Sequence, residues 1–135
     1  MGIEYQGGYS GTVLKVDLSR GTVSKDPLGA AFARAYIGGR GFTSRLQYDL
    51  IPPKVDPLGP ENIVIIAPGP LTGTSAPSSG RFTLGGRSPL TGILGDANSG
   101  GFWGAVLKKA GYDLIIVYGR SSHPVYLWIH DDRVE

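Results

Sequence analysis

The chain has 135 residues, a formal net charge of +2 and 22 glycines, where average usage would give about nine. Hydrophobic residues make up 41% and charged residues 18%, a balance that excludes the disordered and coiled-coil classes and suits one globular domain. Cysteine is absent, which excludes disulfides and cysteine-held iron-sulfur clusters within these residues, and the Lys108–Lys109 pair is the longest basic run, which argues against nucleic acid.

No signal-peptide pattern opens the chain and no apolar run approaches about 18 residues, so a soluble cytoplasmic protein without a membrane partner is expected. In residues 12–18, Leu14, Val16 and Leu18 alternate with Val13, Lys15 and Asp17, the period of a half-buried strand. Ser19, Arg20 and Gly21 turn the chain, and residues 22–25 form the returning hairpin partner. Asp26 and Pro27 are then expected as N-cap and first position of a helix whose buried stripe is Leu28, Ala31, Phe32, Ala35 and Tyr36, ended by Gly38. A second short helix is predicted over residues 42–48.

Residues 51–60 carry four prolines and read as a loop leading into the apolar run Ile63, Val64, Ile65, Ile66 and Ala67, a central strand. The following stretch to residue 101 is dense in glycine, proline and small hydroxylated residues, with residues 81–84 as its one clear strand. Asn98 or Ser99 is placed to cap a helix over about residues 101–110, ended by Gly111, with Lys108 and Lys109 at the negative pole of its dipole. Residues 113–118 read as a buried strand. Residues 125–130 form a last alternating strand that ends in an Asp131–Asp132 turn, and Arg133, Val134 and Glu135 begin a pattern that breaks off. Strands and helices mix without a βαβ rhythm, so the expected fold class is α+β, a mixed sheet with a few short helices.

No Cys/His pair, HExxH motif or Ser-x-x-Lys arrangement is present, so these residues are not expected to catalyse a reaction alone. His123 and His130 lie seven apart without metal-ligand logic, and Asp131 and Asp132 serve a turn. The glycine-rich segment ANSGG, residues 97–101, differs: a Gly/Ser loop opening onto a helix aims backbone N–H groups at an anion. Arg81 is the candidate guanidinium, because its fork pairs with phosphate or with a heterocycle edge. On spacing alone the plainer readings stay open, with Asn98 only an N-cap, Gly100 only a tight turn and Arg81 only a surface charge.

Several long phrases go further: APGPLTGTSAPSSGR at residues 67–81, RSPLTG at 87–92 and DANSGGFWGAVLKKAGYD at 96–113. Together with GTVLKVDLSRGTV at 11–23, YIGGRGF at 36–42, DPLGPEN at 56–62 and HPVYLWIHDDRVE at 123–135, they make the chain resemble the aldehyde ferredoxin oxidoreductase family over nearly its whole length. The resemblance implies tungsten enzymes that oxidise aldehydes to carboxylates and pass electrons to ferredoxin through an iron-sulfur cluster. It also implies a metal, tungsten or molybdenum, held by two pterins whose phosphates are bridged by magnesium.

In that family an N-terminal domain of two similar α+β halves covers the pterins, and residues 1–135 resemble the first half. Carried over motif by motif, the pterin contacts fall on Arg81, Asn98 and Gly100, with Ser99 a weaker neighbour and the Asn98 backbone carbonyl toward magnesium. The catalytic and cluster-binding domains have no counterpart here, so a piece of a longer protein, inactive alone, is expected, with the remaining domains and ferredoxin as partners and a homodimer as an option. A stand-alone pterin-binding or assembly module is the alternative.

Overall fold

The computed structural model describes residues 7–135. It contains β1 (Thr12–Asp17), β2 (Thr22–Pro27), α1 (Ala30–Tyr36), α2 (Arg40–Leu50), β3 (Ile63–Pro68), β4 (Phe82–Arg87), β5 (Leu94–Ser99), α3 (Trp103–Lys109), β6 (Leu114–Tyr118), β7 (Ile129–His130) and β8 (Arg133–Val134). Six strands form one sheet in the order β2-β1-β6-β3-β4-β5, in which β1 and β6 run parallel and the other neighbours antiparallel. The fold class is therefore α+β, as the sequence pattern implies.

The apolar run of β6 follows from burial on both faces of the sheet, and that of β3 chiefly from burial on one, with Val64 exposed on the other. Leu114 and Ile116 of β6 join Val13, Ile63, Ile65 and Ala67 beneath Leu28, Ala33 and Phe42, whereas Ile115 joins Leu14, Val16, Leu107 and Tyr112 on the opposite face. Alternate residues of one strand thus feed two cores, with α1 and α2 over one and α3 over the other. Helix α2 approaches closely: a Cβ on Gly85 of β4 would lie 2.5 Å from Gln47 Nε2 and 2.7 Å from Thr43 Cβ. Gln47 in turn donates from Nε2 to the Gly95 carbonyl at 3.2 Å, tying α2 to β5.

The expected helix cap at Asp26–Pro27 is corrected. Both residues belong to β2, which pairs with β1 along its full length from Thr12↔Pro27 to Asp17↔Thr22. Asp26 instead meets Lys15 at 2.6 Å across the ladder, and Pro27 is tolerated because β2 is an edge strand. α1 begins at Ala30 with Gly29 as N-cap. Leu28 is buried but precedes the helix, so the expected stripe holds only in part. Ala33, with Phe32 and Tyr36, faces the core, and Ala31 and Ala35 face solvent.

The strand β5 was not anticipated. Its sequence LGDANS has weak strand propensity and little burial, and it forms because β4 offers a complete edge, in register from Phe82↔Ser99 to Arg87↔Leu94. Asn98 and Ser99 consequently lie in a strand and do not cap α3, which starts at Trp103 with Phe102 as N-cap. Lys108 and Lys109 do lie in the last turn of α3, and the Lys108 side chain is in addition buried beside Asp113. The last strand is shorter than the alternation suggested. Ile129–His130 pairs with Arg133–Val134, and Trp128 and Glu135 exchange backbone hydrogen bonds of 2.8 and 2.9 Å, so the final residues are the return arm of a hairpin.

Candidate functional site

Arg81 immediately precedes β4, and its backbone is fixed from below. The buried Thr72 donates from Oγ1 to the Arg81 carbonyl at 3.0 Å and accepts from the Gly69 N–H at 3.0 Å, joining the 69–72 turn to the start of the strand. The Arg81 side chain is exposed, and its Nε donates to Asn98 Oδ1 at 2.5 Å. Asn98 lies directly opposite Thr83 in the β4–β5 ladder, and its Nδ2 donates to Thr83 Oγ1 at 3.1 Å. Antiparallel pairing therefore places Arg81, Thr83 and Asn98 in one chain of contacts, because residues two apart on a strand share a face.

That face is the α2 side of the sheet. Gly39, the N-cap of α2, lies so near that a Cβ there would sit 3.4 Å from Thr83 Oγ1. Beside it Arg40 reaches Asp96 Oδ2 from Nε at 2.9 Å and from Nη2 at 2.6 Å. The hydrogen bond and charge of Asp96 raise the Arg40 guanidinium above its ordinary value. Asp96 is thereby engaged by Arg40, leaving the Arg81 guanidinium as the charge beside Asn98.

Gly100 borders the cluster, since a Cβ there would stand 3.4 Å from Arg81 Nη1 and narrow the approach to the guanidinium. Of the four expected residues, Arg81, Asn98 and Gly100 come together. Ser99 does not join them through its side chain: it opposes Phe82, one residue out of phase, and so points to the other face of the sheet, where the Phe82 and Trp103 rings meet at a tilt with centroids 4.6 Å apart. Thr83 and Thr72 escaped the sequence reading because a single threonine forms no motif. The alternation Arg81, Phe82, Thr83 was the available signal.

Chemically, the cluster offers a guanidinium fork, a carboxamide and glycine backbone. It suits an anion or a hydrogen-bonding heterocycle, and it contains neither a nucleophile nor a general base. Among the described residues no group of three His, Cys, Asp or Glu could hold a metal ion, and no helix is long and apolar enough to cross a membrane.

Comparisons with known proteins bear on the chain as a whole. Residues 13–135 match the family model described as aldehyde ferredoxin oxidoreductase, N-terminal domain. The tungsten-containing aldehyde ferredoxin oxidoreductase of Pyrococcus abyssi (strain GE5 / Orsay) is 51% identical over 128 residues, covering 95% of this chain and 21% of that protein. An aliphatic sulfonate oxidoreductase, WOR-like subunit, of Pyrococcus furiosus is 39% identical over 131 residues, 94% of this chain and 20% of that protein.

A solved structure, the active site complex BamBC of benzoyl coenzyme A reductase with 1,5-dienoyl-CoA, superposes with a TM-score of 0.93 at 40% identity, over 96% of this chain and 20% of that one. The chain thus spans about a fifth of the length of the relatives it matches. Family match, sequence identity and fold converge: this chain belongs to the aldehyde ferredoxin oxidoreductase family and corresponds to its N-terminal domain.

Proposed function

We propose that the chain is the cofactor-cradling segment, one half of a duplicated pterin-binding domain, of a tungsten-pterin oxidoreductase that oxidises aldehydes to carboxylic acids with ferredoxin as acceptor. The observation that carries this reading is the Arg81–Asn98–Thr83 chain of contacts beside Gly100. These residues fit a pterin phosphate: the guanidinium neutralises charge, the Asn98 amide holds the guanidinium, and the missing Cβ at Gly100 leaves room beside it. Ser99 borders this cradle through its backbone. Among the oxygen donors, the Asn98 backbone carbonyl would hold a magnesium ion, a hard cation that prefers oxygen.

The bound metal, tungsten or molybdenum, supplies two-electron redox chemistry, and this chain's residues supply placement and charge neutralisation. Residues that ligate an iron-sulfur cluster through cysteine belong to other parts of such a protein, because none occurs here. Its partners on this reading are those other domains, ferredoxin and a second subunit, in the cytoplasm, and the 135 residues alone are inactive. The domain is similar to parts of proteins named for aldehyde, sulfonate and benzoyl-coenzyme A chemistry, so substrate choice rests outside it.

In a full-length protein carrying this domain, Arg81→Ala is expected to lower tungsten and pterin content per protomer, measured by metal analysis and pterin fluorescence. Unchanged content would remove Arg81 from the cradle. The two-sided core built within these residues favours one second reading, a stand-alone pterin-binding or assembly module. Calorimetry of the chain with pterin cofactor tests it, and absence of heat rules it out.

A further inference from the structure

We infer that Thr83 is a positioning residue of this cradle, acting on the Arg81 guanidinium through the Asn98 amide. The inference rests on the reading of Arg81 as the cofactor's cationic contact. Arg81 leaves the sheet just before β4 and its side chain is exposed, so packing alone leaves its torsions loosely defined. Its hydrogen bond from Nε to Asn98 Oδ1 supplies the missing restraint. The sense of that amide is dictated by chemistry: a guanidinium N–H only donates, so Asn98 presents oxygen to Arg81 and its NH2 points the other way.

The NH2 then needs a fixed acceptor, and Thr83 is the residue opposite Asn98 in the ladder, with Oγ1 at 3.1 Å from Nδ2. Thr83 is itself 3% exposed, pressed between the sheet and the Gly39 corner of α2, so its hydroxyl stands on a rigid element. Asn98 by contrast is exposed on the edge strand β5. Rigidity thus runs from buried Thr83, through half-free Asn98, to exposed Arg81. Without the Thr83 hydroxyl the amide plane rotates and the guanidinium loses its tether, so ordering it becomes part of the binding event. Ordering one long side chain weakens binding by about threefold to tenfold.

The test uses the 135-residue chain with inorganic phosphate as probe. Two quantities are read by NMR: hydrogen exchange at the Arg81 Nε–H, and phosphate affinity from shifts of the same resonance. Thr83→Val, which keeps the shape and removes the hydroxyl, is expected to speed Nε–H exchange and to weaken phosphate binding about threefold to tenfold, with the remaining backbone spectrum retained. Thr83→Ser restores both. Thr83→Ala serves if the valine variant does not fold, and it must show the same losses.

Equal Nε–H exchange in wild type and hydroxyl-less variants overturns the inference, as does unchanged phosphate affinity where the wild type binds. If the wild type binds no phosphate, the cradle reading loses its support. The exchange measurement then still decides whether Thr83 anchors Arg81.

Discussion

Asp113 sets the local chemistry of the chain's N-terminal approach. Its carboxylate is 2% exposed and accepts from the Ser10 N–H at 3.1 Å, from the Gly11 N–H at 2.6 Å and from the buried Lys108 ammonium. Each of its contacts replaces one to water, so the group is satisfied only while the Ser10–Gly11 segment and α3 both stay docked. Asp113→Ala would leave the Lys108 charge buried without its partner, and we expect a loss of about 3–5 kcal/mol in urea unfolding. Tyr9 lies beside this pair and donates from Oη to the Ile37 carbonyl at 2.6 Å. Burial, and secondarily the Asp113 charge, raise its phenol above the ordinary value of 10.0. The folded chain therefore holds the phenolic proton more tightly than the unfolded one. The associated stabilisation is whole below about pH 10 and is lost as pH rises through the raised folded value. Thermal melts between pH 9 and 12, in rough steps of one unit, should show a steeper fall for wild type than for Tyr9→Phe.

At the level of elements, the contact between α2 and the β4–β5 pair holds the strands that carry Arg81, Thr83 and Asn98. Gly85 lets Thr43 and Gln47 lie directly on the sheet, and Gln47 then reaches the Gly95 carbonyl of the edge strand. Gly85→Ala forces backbone or helix to shift. We expect destabilisation of about 1–3 kcal/mol by denaturant titration, accompanied by movement of the Asn98 and Arg81 resonances. The corner between α1 and α2 is similarly constrained. Ile37 adopts φ 66° and ψ −58°, with the Gly38 N–H on the Tyr36 carbonyl at 2.7 Å, a tight three-residue turn rarely taken by a β-branched residue. Ile37→Gly should relieve this strain and stabilise the fold by about 1 kcal/mol, net of the added unfolded-chain freedom, read as a rise in melting temperature.

Across the whole molecule the strands differ in how completely they are enclosed. β6 and β3 sit at the centre with partners on both sides, whereas β5 is an edge and the β7–β8 hairpin lies outside the main sheet. Native-state hydrogen exchange should therefore find amides of β6 slower than those of β7 and β8 by on the order of 100-fold or more. The same hierarchy explains what could be read in advance. β1, β3 and β6 announce themselves because burial writes apolar residues into them, and the glycine-rich phrases marked Arg81, Asn98 and Gly100. The edge elements were not legible: LGDANS becomes a strand only because β4 is already there to pair with it, and Pro27 ends a strand because that strand is an edge. The sequence by itself determined the α+β class, the central strands and the family, and it singled out Arg81, Asn98 and Gly100, which the fold brings together. Only the tertiary structure decided that the Ser99 side chain turns away from the Arg81–Asn98 cluster and that Thr83 stands behind it. Strand register fixes which side chains share a face, and register is set by pairing between segments distant in the chain.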